Sequence, residues 1–500
     1  MPLLKTTLFK SLLVALCMML SKHKAMAIID FNANITKIYD ELFNLKFEKA
    51  TQLIEIEKRN NPTNAAVVGC EGTLAFYKCY LSESQHDFYQ MKNKFDKQIE
   101  RLQAEANDSP FKLYLQAELT LQMGLVRAMH NEYINAAVDI RKSYKLYAAN
   151  AVAFKQFKPN LKGMGFLHIL IGAIPENYKW AANLIGLKGT IKQGTDELTE
   201  LISYCVQTNQ YDFIKNESLL FLIYVQVHYG KDIPRAMQLI KLYDANYTSP
   251  FINYSIANVY SIAGKNEIML HELESFEPDM ETAPLHYLQY LKGICKSNRL
   301  DFSAIDNYKK FIKTYPGYKF KKSAYQRIAW LYLIKGDTAQ YHHNIKQVIH
   351  VGSSFTDEDK QAQAEAEQKI LPNVVLLKAR LLFDGGFYLK SLSQLAHKTN
   401  SDQLKDKIEG VYRTARNFDM LEQNEKAITF YINTIAIGEK TSYYFAASAA
   451  LCLAQLYESQ HDVANAKHYY TKCLSMRSHD YQNSIDQKAK AGLNRLGTLN

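Results

Sequence analysis

Glycine is scarce in this chain, 21 among 500 residues. Strand signals are nearly absent too. No Asn-Gly or Asp-Gly turn stands between two alternating runs, and Asp384-Gly385-Gly386 lies between helical patterns. A sheet-based fold is thereby excluded. No apolar run reaches the roughly 20 residues that a spanning helix requires. No Lys/Arg run dominates a face, so no nucleic-acid partner is expected. With 47% hydrophobic and 22% charged residues, the composition suits a folded chain and not a disordered one.

Patterns that carry chemistry are missing as well. Gly163-Met-Gly165 lacks the third glycine of a dinucleotide loop, and no Gly-x-x-x-x-Gly-Lys-Ser/Thr or Gly-x-Ser-x-Gly occurs. His271-Glu272 has no second histidine at the zincin position. His342, His343 and His350 lack the i, i+4 pairing of a strong metal motif, and no carboxylate shares their face. Neither a catalytic residue nor a metal or cofactor site is expected.

The ends and the cysteines bound the compartment. Lys5 and Lys10 form a basic start, Ser11–Leu20 an apolar stretch, and Ala25-Met26-Ala27 an A-x-A cleavage site. Residues 1–27 read as a signal peptide cut after Ala27, which makes the protein periplasmic or secreted. Cys17 follows Leu16 and not a small residue, which disfavours a lipid anchor. The formal charge of +10 falls to +6 without Lys5, Lys10, Lys22 and Lys24. The six remaining cysteines are scattered through apolar helical runs and read as buried free thiols, not as a disulfide framework.

What is present is helical repetition. A tetratricopeptide unit is two antiparallel helices in about 34 residues, with small residues where the helices touch. Ala379 and Ser391, Ala415 and Ala427, and Ala454 and Ala466 are small pairs twelve apart. Leu382 and Leu395, Phe418 and Tyr431, and Tyr457 and Tyr470 are their large companions. Looser units contain Ala329 with Gly336-Asp337, Ala304 with Tyr308 and Pro316, Ala257 with Gly264, Ala236 with Ile240, and Ala50 with Pro62. Thr356 with Asp359 predicts a capped helix start, and the Ala/Gln/Glu-rich stretch 361–368 after it reads as solvated. The fold expected is all-α, a tetratricopeptide-like α-α superhelix or solenoid. Helical repeats at 28–215 would contain a glycine-rich hairpin at 163–198, and tetratricopeptide-like repeats would fill 216–500.

Six of the glycines fall between Gly163 and Gly194, although glycine costs about 1 kcal/mol against alanine within a helix. Gly163, Gly165 and Gly172 are expected to let helices approach closely, and Gly186 and Gly189 to cap and turn the chain around Pro175. The interior default for His168 is a buried, hydrogen-bonded histidine. The positions of Gly163, Gly165, Pro175, Gly186, Gly189, Gly194 and Leu198 resemble the signature of the tetratricopeptide repeat protein thirty-nine family of animals. Its fungal inclusion-body-clearance (outer-membrane Iml-type) relatives share it. His168 stands where that family usually has Asn, and Gly172 where it has Ser. Arg141-Lys-Ser-Tyr144-Lys-Leu-Tyr147 and Asp480-Tyr481 are similar to two further segments of it. The resemblance implies a scaffold or adaptor and raises the possibility of peripheral membrane association.

The function expected is therefore a non-enzymatic scaffold at the cell envelope that binds a protein or peptide in a concave groove. The alternatives are an envelope structural or carbohydrate-handling accessory protein and, further off, an enzyme whose site is assembled from distant helices. Position 9 of a repeat's first helix turns about 100° from the intra-repeat contact toward that groove. It is occupied by Trp330, Arg380, Arg416 and Gln455, with Tyr412 one turn before Arg416. Two arginines in adjacent repeats offer planar donor forks for a carboxylate.

Overall fold

The computed structural model describes residues 29–106, 108–174, 186–243, 249–396 and 403–497. Residues 1–27, with the expected cleavage site, and Pro175 lie outside the described residues. The described residues form 24 α-helices and one π-helical turn, Gln226–Gly230, with no strand. The fold is all-α and tetratricopeptide-like. Its contacts divide the chain into two compact units. One takes the chain up to Val259 together with Phe276–Leu285, and the other takes Tyr260–Ser275 and everything from His286.

In the second unit the small residues sit where the helices cross. Val374–Asp384 pairs with Tyr388–Leu395, Leu404–Met420 with Asn424–Gly438, and Phe445–Ser459 with Val463–Ser475. Ala379, Ser391, Ala415, Ala427, Ala454 and Ala466 are all fully buried. Small side chains there let the helix axes come within about 8–10 Å. Ser391 also donates its hydroxyl to the Ala379 carbonyl at 2.8 Å and accepts from Asn417 Nδ2 at 3.0 Å, which ties three helices together. Among the described residues the six cysteines are free; five are buried and Cys452 is half-buried.

The stretch expected to be solvated is not. It belongs to the helix Asp357–Gln368, which buries Asp359, Ala362 and Ala366 against neighbouring helices. Thr356 caps it as expected, its Oγ1 accepting from Asp359 N at 3.1 Å. The Asp359 carboxylate then accepts from Phe320 N at 2.6 Å and Ser323 N at 3.1 Å, capping the separate helix Lys321–Ile334. The alanines supply the packed face, and composition alone conceals it because the opposite face is glutamine and glutamate.

The glycine-rich block shapes the first unit. Gly163, Gly165 and Gly172 lie on the helix Asn160–Gly172, and Gly194 on Ile191–Thr208. A Cβ on Gly165 would sit 2.9 Å from Leu198 Cγ and 3.1 Å from the Gly194 carbonyl, so these two helices meet backbone to backbone. Gly186 has φ +77° and turns the chain as expected. Gly189 instead makes room for the His168 backbone, where a Cβ would approach within 2.7 Å. His168 itself is buried, with Nδ1 2.6 Å from Glu197 Oε2 and Nε2 3.3 Å from Gln193 Nε2. No described helix is long and apolar enough to cross a membrane, and the apolar run from Met164 packs Leu167, Ile169 and Ile171 into the core.

Beside Gly163 lies a buried ion cluster. Lys162 Nζ stands 2.6 Å from Glu118 Oε2 and 2.7 Å from Glu217 Oε2. The Tyr147 hydroxyl donates to the other oxygen of Glu118, and the Tyr77 hydroxyl to Glu217 at 3.4 Å. Burial disfavours the ammonium, yet the two carboxylates outweigh it and hold the Lys162 pKa well above its ordinary value. A Cβ on Gly163 would strike the Tyr147 ring, so this glycine makes the space for a ring that completes the cluster. A second buried carboxylate, Glu57, accepts from four asparagine amides, those of Asn32, Asn34, Asn61 and Asn64, at 2.8 to 3.1 Å.

Candidate functional site

The first helices of two adjacent repeats in the second unit, Val374–Asp384 and Leu404–Met420, lie side by side. They line a cleft of about 190 Å³ with Arg380, Phe383, Asp384, Tyr412, Arg413 and Arg416, closed by Tyr444. The spacing along each helix sets the contacts. Residues four apart stack on one face, which places Arg380 over Asp384, Arg413 over Glu409 and Arg416 over Tyr412.

The pairs differ in quality. Arg413 donates to Glu409 Oε1 from Nε at 2.7 Å and lies 2.6 Å from it through Nη2, a close charge-assisted contact. Arg380 Nε is 4.0 Å from Asp384 Oδ2, at the outer limit of an ion pair. Arg416 has no carboxylate partner among the described residues. Its Nη1 reaches only the Tyr412 hydroxyl at 3.4 Å, its guanidinium lies 5.2 Å over the Phe383 ring, and its buried Nε has no acceptor. Burial raises the Tyr412 phenol, so it stays neutral and leaves the arginine charge uncancelled. The nearest acid along this face, Asp419, is engaged by the Tyr431 hydroxyl at 2.6 Å.

An adjoining cleft of about 170 Å³ shares Arg380, Arg413 and Tyr444 and adds Trp330, Glu365, Tyr443 and Tyr481. Trp330 is 2% exposed and so forms part of the wall's interior, not an open face. Its Nε1 donates to Glu365 Oε1 at 2.6 Å, and the Arg380 guanidinium covers its ring at 4.9 Å. Gln326 Nε2 donates to the other Glu365 oxygen at 2.7 Å. Burial raises the Glu365 carboxyl above the ordinary range, against the pull of Trp330 and Arg380.

The structure thus brings Arg380, Tyr412 and Arg416 into one cleft and places Trp330 beside it through Arg380. Gln455 is half-buried and lines neither cleft. Sequence reasoning missed Phe383, Arg413, Tyr444 and Glu365. Glu409-x-x-x-Arg413 was visible as an i, i+4 pair, but Glu365 sits on the helix expected to be solvated. Among the described residues no group of three His, Cys, Asp or Glu is placed to hold a metal ion.

No family model and no curated protein matches the chain. Among solved structures it is similar to the crystal structure of the P58(IPK) TPR domain, with 14% identity over 76% of this chain and 98% of that one, at a TM-score of 0.21. At that score the two chains do not superpose as wholes.

Proposed function

We propose that this chain is a non-catalytic protein-binding scaffold whose second unit holds an acidic or carboxylate-ended peptide on Arg380 and Arg416. One observation carries the reading: Arg416 lines a cleft and, among the described residues, reaches only the Tyr412 hydroxyl and no carboxylate. A guanidinium without an anion is costly to hold away from water, and a ligand carboxylate in the cleft would supply one. Tyr412 would supply an apolar wall, while Trp330 and Glu365 would hold Arg380 in place from behind. The kinship with the thirty-nine and Iml-type family rests on the glycine block, and the division at 215 on the change of repeat type. Export with cleavage after Ala27 rests on the basic, apolar and A-x-A sequence.

Crosslinking in cells followed by mass spectrometry identifies the partner. Arg380→Ala with Arg416→Ala then weakens it at least tenfold, equivalent to about 1.4 kcal/mol. Undiminished affinity in the folded double variant places the docking site elsewhere. N-terminal sequencing from the native host tests export, and a mature chain beginning at Met1 rejects it.

A further inference from the structure

The first unit carries a groove that no part of this reading uses. It encloses about 500 Å³ between the helices Phe47–Asn60, Ala66–Ser82 and Gln85–Gln103. Ile54, Val68, Leu74, Ala75 and Met91 form an apolar floor. The two walls differ in charge. On one, Lys58 is held by Glu55 at 2.8 Å and by Glu71 at 2.6 Å, which leaves that trio a single net negative charge. On the other, Lys94, Lys97 and Arg101 are exposed and form no ion pair within 4 Å among the described residues, Arg101 acting on the Glu105 carboxylate only at longer range. Asp87 is occupied by the Ser82 hydroxyl at 2.6 Å. Lys78, also exposed, lies over the Phe47 ring at 5.9 Å and forms no ion pair within 4 Å among the described residues.

We propose that this groove docks an acidic amphipathic helix of a partner protein. The floor requires an apolar face, and the unpaired wall requires carboxylates. Lys94, Lys97 and Arg101 lie three and four residues apart on one helix face and span about 10 Å, or two turns. A docked helix with acids at i, i+3 or i+4, and i+7 presents the matching ladder of opposite charge. The chain's own first 27 residues do not fit, because they carry Lys5, Lys10, Lys22 and Lys24 and no acid. Cations spread on a wall beside an apolar floor give register as well as attraction, since sliding by one residue turns a helix's acids away from the cations.

The test uses fluorescence anisotropy with the full chain and three labelled peptides of roughly five helical turns or equal length. One has leucines on one face and glutamates on the other, one replaces the glutamates by lysines, and one is an unstructured Glu/Ser peptide of the same charge as the first. The Leu/Glu helix binds at least tenfold tighter than either other peptide. Lys94→Glu with Lys97→Glu and Arg101→Glu, all exposed and checked for unchanged helicity, reverses the preference toward the lysine peptide. Ala75→Trp fills the floor without changing charge and weakens the Leu/Glu helix at least tenfold. Arg380→Ala with Arg416→Ala leaves binding as it was, which separates this surface from the cleft in the second unit. Four outcomes overturn the proposal. These are no binding of the Leu/Glu helix, equal binding of the Glu/Ser peptide, binding that survives the triple reversal, and binding that disappears only in the Arg380 and Arg416 variant.

Discussion

The buried ions of the first unit and Arg416 of the second are surrounded in opposite ways. In the first, Lys162 is held by two carboxylates, and Glu57 is surrounded by four amide donors. In the second, Arg416 is half-buried against Tyr412 and Phe383 and has no carboxylate partner among the described residues. A charge surrounded by its complements belongs to the architecture. A charge enclosed without one leaves a place for something else. The contrast separates a structural cluster from a binding site without any appeal to catalytic motifs, of which this chain has none that sequence reasoning could find.

The largest test of that contrast is Lys162→Met. It strands Glu118 and Glu217 in the interior, and breaking one side of a buried ion pair costs about 3–5 kcal/mol. Urea unfolding monitored at more than one wavelength measures it, since two units need not unfold together. A wild-type midpoint would mean that the cluster is not holding the first unit. Gly165→Leu comes next. The side chain has nowhere to go between Leu198 and the Gly194 carbonyl, and overpacking of this kind costs about 1–3 kcal/mol. An unchanged melting temperature would remove the close helix approach from the account.

Arg416→Met sharpens the comparison from the other side. Replacing a half-buried charge that lacks an anion by an apolar side chain should leave stability within about 1 kcal/mol of wild type, or above it. A loss as large as that of Lys162→Met would make Arg416 structural as well.

The smallest effects are in pH. Burial acts to raise the Glu57 carboxyl, but the asparagine amides outweigh it and hold it below the ordinary value. Its contribution is present above the unfolded pKa, about 4.3, and is lost as pH falls through the lowered one. The deficit of Glu57→Gln against wild type therefore shrinks in acid. Glu365 is raised by burial. Its contribution is present below the unfolded value and is lost as pH rises through the raised one, so Glu365→Gln gains on wild type with rising pH. Denaturation midpoints across the acid range read both, and parallel curves would show that the two carboxyls titrate alike.

The repeats were legible because their signal is local. Small residues twelve apart announce a crossing, and all six of those pairs' members are fully buried. The glycine block was legible as close packing, though Gly189 serves the His168 backbone and not a turn. The ion cluster was invisible for the opposite reason. Lys162 meets Glu118 and Glu217 across 44 and 55 residues of chain, and nothing near Lys162 in sequence announces either partner. In the clefts of the second unit, the arginines at position 9 could be found by counting along a helix. Trp330 and Glu365, 35 residues apart, could not be paired that way.

The carboxylate of Asp359 finishes a helix that began earlier. Phe320, at φ +61°, introduces Lys321–Ile334 without any side-chain cap of its own, and its amide is satisfied from 39 residues downstream. On a ribosome the N-terminal end of that helix stays open until Asp359 has emerged and its own helix has docked. The first helix of this part of the second unit therefore gains its cap, worth about 0.5–2 kcal/mol, only once Asp359 is in place. A chain stalled before Asp359 would expose a frayed helix end to proteases, and one released after it would not.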